Sequence, residues 1–175
     1  MGATTRWALP YPEPPDPADV PADMSALAAA VDAGLSSPTA ELNLPAPQSV
    51  ATGAIVKANL GHAAPTNILG DALAVDPANG RISILRAGWY WATAGAWFDA
   101  NAAGTRLVIL FMNGTGAGEH NRTYIPANLA NQWMRCSALL QIPAGNSFET
   151  RVYQDSGGPL NLTGAAINVS LLTLV

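Results

Sequence analysis

The sequence has 175 residues, enough for one domain with its own core and a further segment in front of it. Charged residues make up only 11% and hydrophobic residues 49%, against roughly 25% charged in ordinary soluble domains, so part of the surface is expected to be covered by other subunits. Net charge is −4 and the arginines lie scattered along the chain around the single Lys57, which leaves no basic stripe for nucleic acid, and no apolar run reaches the roughly 18–20 residues that span a bilayer.

In chain order, residues 1–19 come first, with Pro10, Pro12, Pro14, Pro15 and Pro17. Proline fixes φ and removes a backbone donor, so this stretch is expected to be an extended arm. Trp7, Leu9 and Tyr11 are its apolar anchors for docking on another protein. Residues 20–35, VPADMSALAAAVDAGL, predict a short helix. Pro21 suits its first turn, and Met24, Leu27, Ala28, Val31 and Leu35 follow the i, i+3, i+4, i+7 spacing. About four turns are marginal alone, so the stripe of Met24, Leu27 and Val31 is expected to pack on something. A neck shared by several copies, a docking contact and a cap on the chain's own β domain are all open. Residues 36–48 read as a linker.

From residue 49 to 175 the pattern turns to period two with regular Gly and Pro punctuation. Strands are expected near 50–57, 66–69, 73–76, 81–86, 88–98, 105–112, 121–125, 132–142, 147–154 and 163–174, with turns at 76–80, 113–114 and 143–146. Many short strands joined this way indicate an all-β sandwich or jelly roll of about ten antiparallel strands.

Strand 88–98, GWYWATAGAWF, carries Trp89, Trp91, Thr93, Gly95 and Trp97 on one face and Tyr90, Ala92, Ala94, Ala96 and Phe98 on the other. Neither face is polar, whereas a lone sandwich should wet one face of each sheet. Trp89, Trp91 and Trp97 are therefore assigned to a subunit interface, the alternative being that they form the core and the Tyr90–Phe98 row faces out. Residues 105–112 repeat the pattern, with Leu107, Ile109 and Phe111 opposite Val108, Leu110 and Met112, so their outer face is expected to be covered too.

Chemistry is sparse. Cys136 is the single cysteine and lies in the strand-like run MRCSALLQI, which reads as an inert core position. His62 and His120 stand apart, and Glu119-His120 lacks the i, i+4 spacing of a helical zinc site. Asp99, Glu119, Glu149 and Asp155 are not paired by anything in the sequence as a glycosidase requires. Asp99, Asn101 and Asp155 are the oxygen-rich group nearest to a calcium site. No enzyme activity, cofactor or metal is expected.

The run VDPANGRISILRAGWYWATAGAWF, then GTRLVILFMNGT, SALLQIPAGNSFETRVYQ and the closing AAINVSLLTLV resembles, in order and spacing, the C1q/TNF-like jelly roll. The resemblance covers residues 68–175. It implies a ten-stranded sandwich assembled as a tight homotrimer through its inner sheet. Two departures are Trp91 and Ala92 where the family has a phenylalanine two residues after the tyrosine, and the absence of its aromatic-Gly close.

The front segment resembles the start of short tail and fibre proteins of phages of actinobacteria. Leu9-Pro10-Tyr11-Pro12, Val20-Pro21, Asp23-Met24, Leu27-Ala28 and Val31-Asp32 carry that likeness. It implies attachment to other virion proteins through residues 1–35, with the β head outward. The expected function is a trimeric virion surface protein, assembled in the host cytoplasm. A minor tail or fibre protein is the first reading and a capsid decoration protein the alternative. Host-contact loops are expected at 99–104, 113–120 and 155–161, with Asn101, Asn113, Glu119, His120 and Asp155 as candidates for contact with a host surface glycan. A surface-polysaccharide hydrolase and a free C1q-like lectin are the competing functions.

Overall fold

The computed structural model describes residues 2–3, 10–11, 24–28, 38–63, 72–128 and 133–175. The chain divides into two units, Met1–Ser37 and Pro38–Val175. In the first unit, β1 (Gly2–Ala3) pairs antiparallel with β2 (Pro10–Tyr11), Gly2 opposite Tyr11 and Ala3 opposite Pro10. Proline is tolerated in such a two-stranded ribbon because each strand is an edge, and the rest of the expected arm, 1–19, lies outside the described residues. Residues 24–28 are helical, with Met24 and Leu27 exposed. Val31 and the rest of the 20–35 helix, like Trp7 and Leu9, lie outside the described residues, and Tyr11 is placed by its backbone alone.

The second unit is an antiparallel sandwich. Its strands are β3 (Thr39–Asn43), β4 (Gln48–Val50), β5 (Val56–Lys57), β6 (His62–Ala63), β7 (Leu73–Asp76), β8 (Arg81–Ile84), β9 (Gly88–Phe98), β10 (Asn101–Asn113), β11 (Gly118–Asn128), β12 (Met134–Ile142), β13 (Ser147–Gln154) and β14 (Leu160–Leu174). One sheet has the order β11-β10-β13-β8-β7, with β5 also on β13. The other has the order β12-β9-β14-β3-β6, with β4 also on β14. Between them lie Val108, Leu110, Phe148 and Val152 from the first sheet and Tyr90, Ala92, Ala94, Ala96, Leu162, Ile167 and Val169 from the second.

Three expectations change. The linker at 36–48 contains β3, which pairs with β14 from Thr39–Ser170 to Asn43–Ala166 and buries Ala40 and Leu42 completely. A five-residue strand with two inward side chains between prolines carries little local signal; its long partner supplies the stability. The single strand expected at 50–57 is β4 and β5, on different sheets, and the strand expected at 66–69 lies outside the described residues. In β14 a register shift after Leu171 exposes Leu172, Thr173 and Leu174 together.

The outer face of β10 is covered by the chain itself rather than by a second subunit. Ile109 is paired with Arg122 on one side and Arg151 on the other, and Leu107 with Tyr124 and Tyr153. The Arg151 guanidinium lies 3.3 Å from the Phe111 ring centroid and reaches Glu149 at 2.6 Å. Leu107 and Ile109, flanked by these long side chains, are buried.

Two edge strands close the sandwich on one side. Asn121 Nδ2 donates to the Ser137 carbonyl (2.6 Å) and Thr123 Oγ1 to the Arg135 carbonyl (2.7 Å), so β11 side chains satisfy backbone acceptors of β12.

Candidate self-association surface

The two-faced strand β9 resolves in one direction. Tyr90, Ala92, Ala94, Ala96 and Phe98 are buried between the sheets, while Trp89, Trp91 and Trp97 stand on the outer face at 39%, 44% and 37% exposure. The Tyr90 hydroxyl donates to the Arg86 carbonyl (2.6 Å), and burial raises its pKa. Small alanines inside and indoles outside reverse the usual order of burial. Each indole leaves about 100 Å² in water, worth roughly 2 kcal/mol if it were covered.

A fourth indole joins this face. Trp133, just before β12, is 39% exposed, and its ring centroid is 4.3 Å from that of Trp97 at an interplanar angle of 56°. Glycines make room for both rings: the Trp133 ring occupies the place of a Cβ on Gly95, and the Trp97 ring that of a Cβ on Gly164. Leu139, paired with Trp91 and 49% exposed, extends the patch onto β12. The sequence reading missed Trp133 and Leu139. The available signal was phase, since both fall on the odd positions of the run 133–142 with Arg135, Ser137 and Gln141, opposite the buried Met134, Cys136 and Ile142.

The other half of the same face is polar. Asn43 Nδ2 donates to Glu41 Oε1 (2.9 Å), Asn168 Nδ2 to Glu41 Oε2 (3.4 Å), and Ser170 Oγ to Asn168 Oδ1 (3.5 Å); the Thr39 and Ser170 hydroxyls lie 3.2 Å apart. Arg135, on the apolar half, has its guanidinium 5.8 Å from the Trp133 ring centroid.

The host-contact candidates do not form one patch. Asn101, Asn113, Glu119 and His120 lie in strands β10 and β11 rather than in loops; only Asp155 is in a loop. Strand β10 runs from Asn101 to Asn113, so Asn101 and Asp155 sit at one end of the sandwich and Asn113, Glu119 and His120 toward the other, roughly 30 Å apart at strand rise. Pro38, where the chain enters this unit, lies beside Leu171, at the same end as Gly88, Ile142 and Asn113.

At the far end the oxygens weighed as a calcium site are already engaged. Asp155 accepts from the Thr105 N–H, Asn101 Oδ1 from the Ala103 N–H (2.8 Å), and Asp99 Oδ2 from Asn161 Nδ2 (3.0 Å). The Arg106 guanidinium takes the backbone oxygens of Ala103 (2.8 Å) and Asn101 (3.2 Å). A cation is thus built into this corner as a side chain. Burial lowers the pKa of Arg106, and the Asp155 charge opposes the shift. Among the described residues no three His, Cys, Asp or Glu side chains converge as metal ligands.

No protein-family model matches the sequence, and no curated protein matches it. Solved structures do share its fold. The Eiger TNF of S. frugiperda aligns over 79% of this chain and 93% of its own, with a TM-score of 0.59 at 13% identity. The globular domain of zebrafish complement 1qA aligns over 79% and 99%, with 0.59 at 12%, and murine APRIL over 78% and 100%, with 0.60 at 13%. The fold is therefore an all-β C1q/TNF-like sandwich.

Proposed function

We propose that this chain is a non-catalytic, homotrimeric surface protein of a phage particle, a minor tail or fibre component whose residues 1–35 bind other virion proteins. Its sandwich is the outward head, and the face bearing Trp89, Trp91, Trp97 and Trp133 closes the trimer. The observation that carries this reading is that outward row of half-exposed indoles on a sheet whose inner side is lined with alanine. A surface of that kind left in water is an association hazard, and a closed ring covers it in every copy. The fold likeness is consistent with self-association through this sheet. The particle assignment rests on the likeness of the Leu9–Asp32 segment to phage tail and fibre proteins. On this reading the end opposite Pro38, with Asp99 and Asp155 in its loops and Asn101 at the start of β10, points toward the host surface and its glycans.

Light scattering on the full chain tests the assembly. Three copies of the 18.0 kDa chain are expected; a monomer overturns both the trimer and the fibre. Immuno-gold labelling of intact particles tests the location. Label at the tail supports the proposal, label over the shell transfers the protein to capsid decoration, and unlabelled particles remove it from the virion.

A further inference from the structure

The four strands β12, β9, β14 and β3 contain two charged residues, Arg135 and Glu41. Both point outward: Arg135 lies between the buried Met134 and Cys136, and Glu41 between the buried Ala40 and Leu42. They occupy opposite sides of the face, Arg135 on β12 and Glu41 on β3, with β9 and β14 between. Three strand spacings of about 4.8 Å separate them by roughly 14 Å, too far to pair within one copy. Along the strands they are one two-residue repeat out of step, since Arg135 pairs with Gly95 and Glu41 with Asn168, whose partner is Thr93.

Neither charge makes a salt bridge among the described residues. The Glu41 carboxylate is held by the amides of Asn43 and Asn168, and the Arg135 guanidinium stands over an indole. The face is thus apolar and positive on one side, polar and negative on the other. In a closed ring every contact is head-to-tail, so one side of a copy meets the other side of its neighbour. We infer that Arg135 of each copy pairs with Glu41 of the next, so that this charge pair selects which flank of the indole patch meets which. The inference rests on the trimer proposed above and adds its register. The amide clasp on Glu41 fixes the carboxylate before the partner arrives, which lowers the ordering cost of the contact.

The test is a charge swap on the full chain, read as the protein concentration at which the assembly comes apart. Glu41→Arg and Arg135→Glu each place like charges together at all three contacts and are expected to raise that concentration about tenfold or more. The double reversal is expected to return it toward the parent value. Glu41→Gln and Arg135→Gln, milder changes at the same positions, are expected to raise it less and to flatten its salt dependence. They decide the matter if either reversal fails to fold. A parent protein that is not a trimer sinks the trimer proposal and takes this pairing with it. A trimeric parent whose reversals or neutral variants hold together unchanged, or whose double reversal is no tighter than the single ones, sinks the pairing alone.

Discussion

Cys136 lies on the inner side of β12, its Sγ 3.8 Å from the Val108 carbonyl, and burial pushes its thiol up to about 11. A neutral thiol is inert toward disulfide reagents, because the thiolate is the attacking species. At mildly alkaline pH the native protein should leave such a reagent untouched, and colour should develop only at the denaturant concentration that unfolds the head. Rapid reaction of the folded protein would contradict a buried Cys136. The sign of the linked stability follows from the upward shift. The unfolded chain ionises this thiol first, so the stabilisation present below the ordinary thiol range is lost as pH rises toward about 11. Tyr90, raised by the same burial, adds to the loss at higher pH. The buried cysteine was legible because MRCSALLQI is a strand-like run; Trp133 lay inside the strand expected at 132–142, but its stacking on Trp97 depends on the pairing of that strand with β9, which the run itself does not encode.

Two glycines of β9 separate what holds the strand in place from what shapes its surface. A methyl group at Gly88 would come within 2.6 Å of the Thr173 carbonyl oxygen and 2.8 Å of Leu171 Cδ1. The nearer obstacle is backbone of the paired strand and cannot swing aside, so Gly88→Ala should cost about 1–3 kcal/mol in thermal or denaturant unfolding. A methyl group at Gly95 meets the Trp133 indole, the outer end of a half-exposed side chain that can rotate away. Gly95→Ala should therefore unfold within about 1 kcal/mol of the parent and yet weaken self-association, because the Trp97–Trp133 platform is rebuilt. The opposite order of stabilities would show that the indole, not the backbone, is the fixed element. Strand β9 was legible because eleven residues keep period two, yet its two apolar rows left open which one faced inward. The cover over β10 was not legible at all. Arg122 flanks Ile109 from the adjoining hairpin strand, but Arg151 flanks it from a strand much farther along the chain, through a register that no local pattern encodes. The short β3 escaped for the same reason, since its stability comes from pairing with β14.

Across the whole molecule, the low charge content has two separate causes. Over β10 a few long cationic and aromatic side chains do the work of many polar ones. Over β9 the indoles stay about two-fifths exposed among the described residues of the head, and the proposed trimer supplies the cover. Four of the five tryptophans lie on that one face, so intrinsic fluorescence reports almost entirely on whether the face is wet. In the assembled protein the emission should lie to the blue and resist a neutral quencher such as acrylamide. Dilution through the point where the mass falls to one chain should shift the emission red and raise quenching severalfold. The far-UV circular dichroism should not change, because both sheets and the alanine-lined core belong to a single copy. Emission that stays constant while the mass falls would place the subunit contact on another part of the surface. Emission that reddens together with loss of the β-sheet signal would mean that the head does not fold apart from its neighbours.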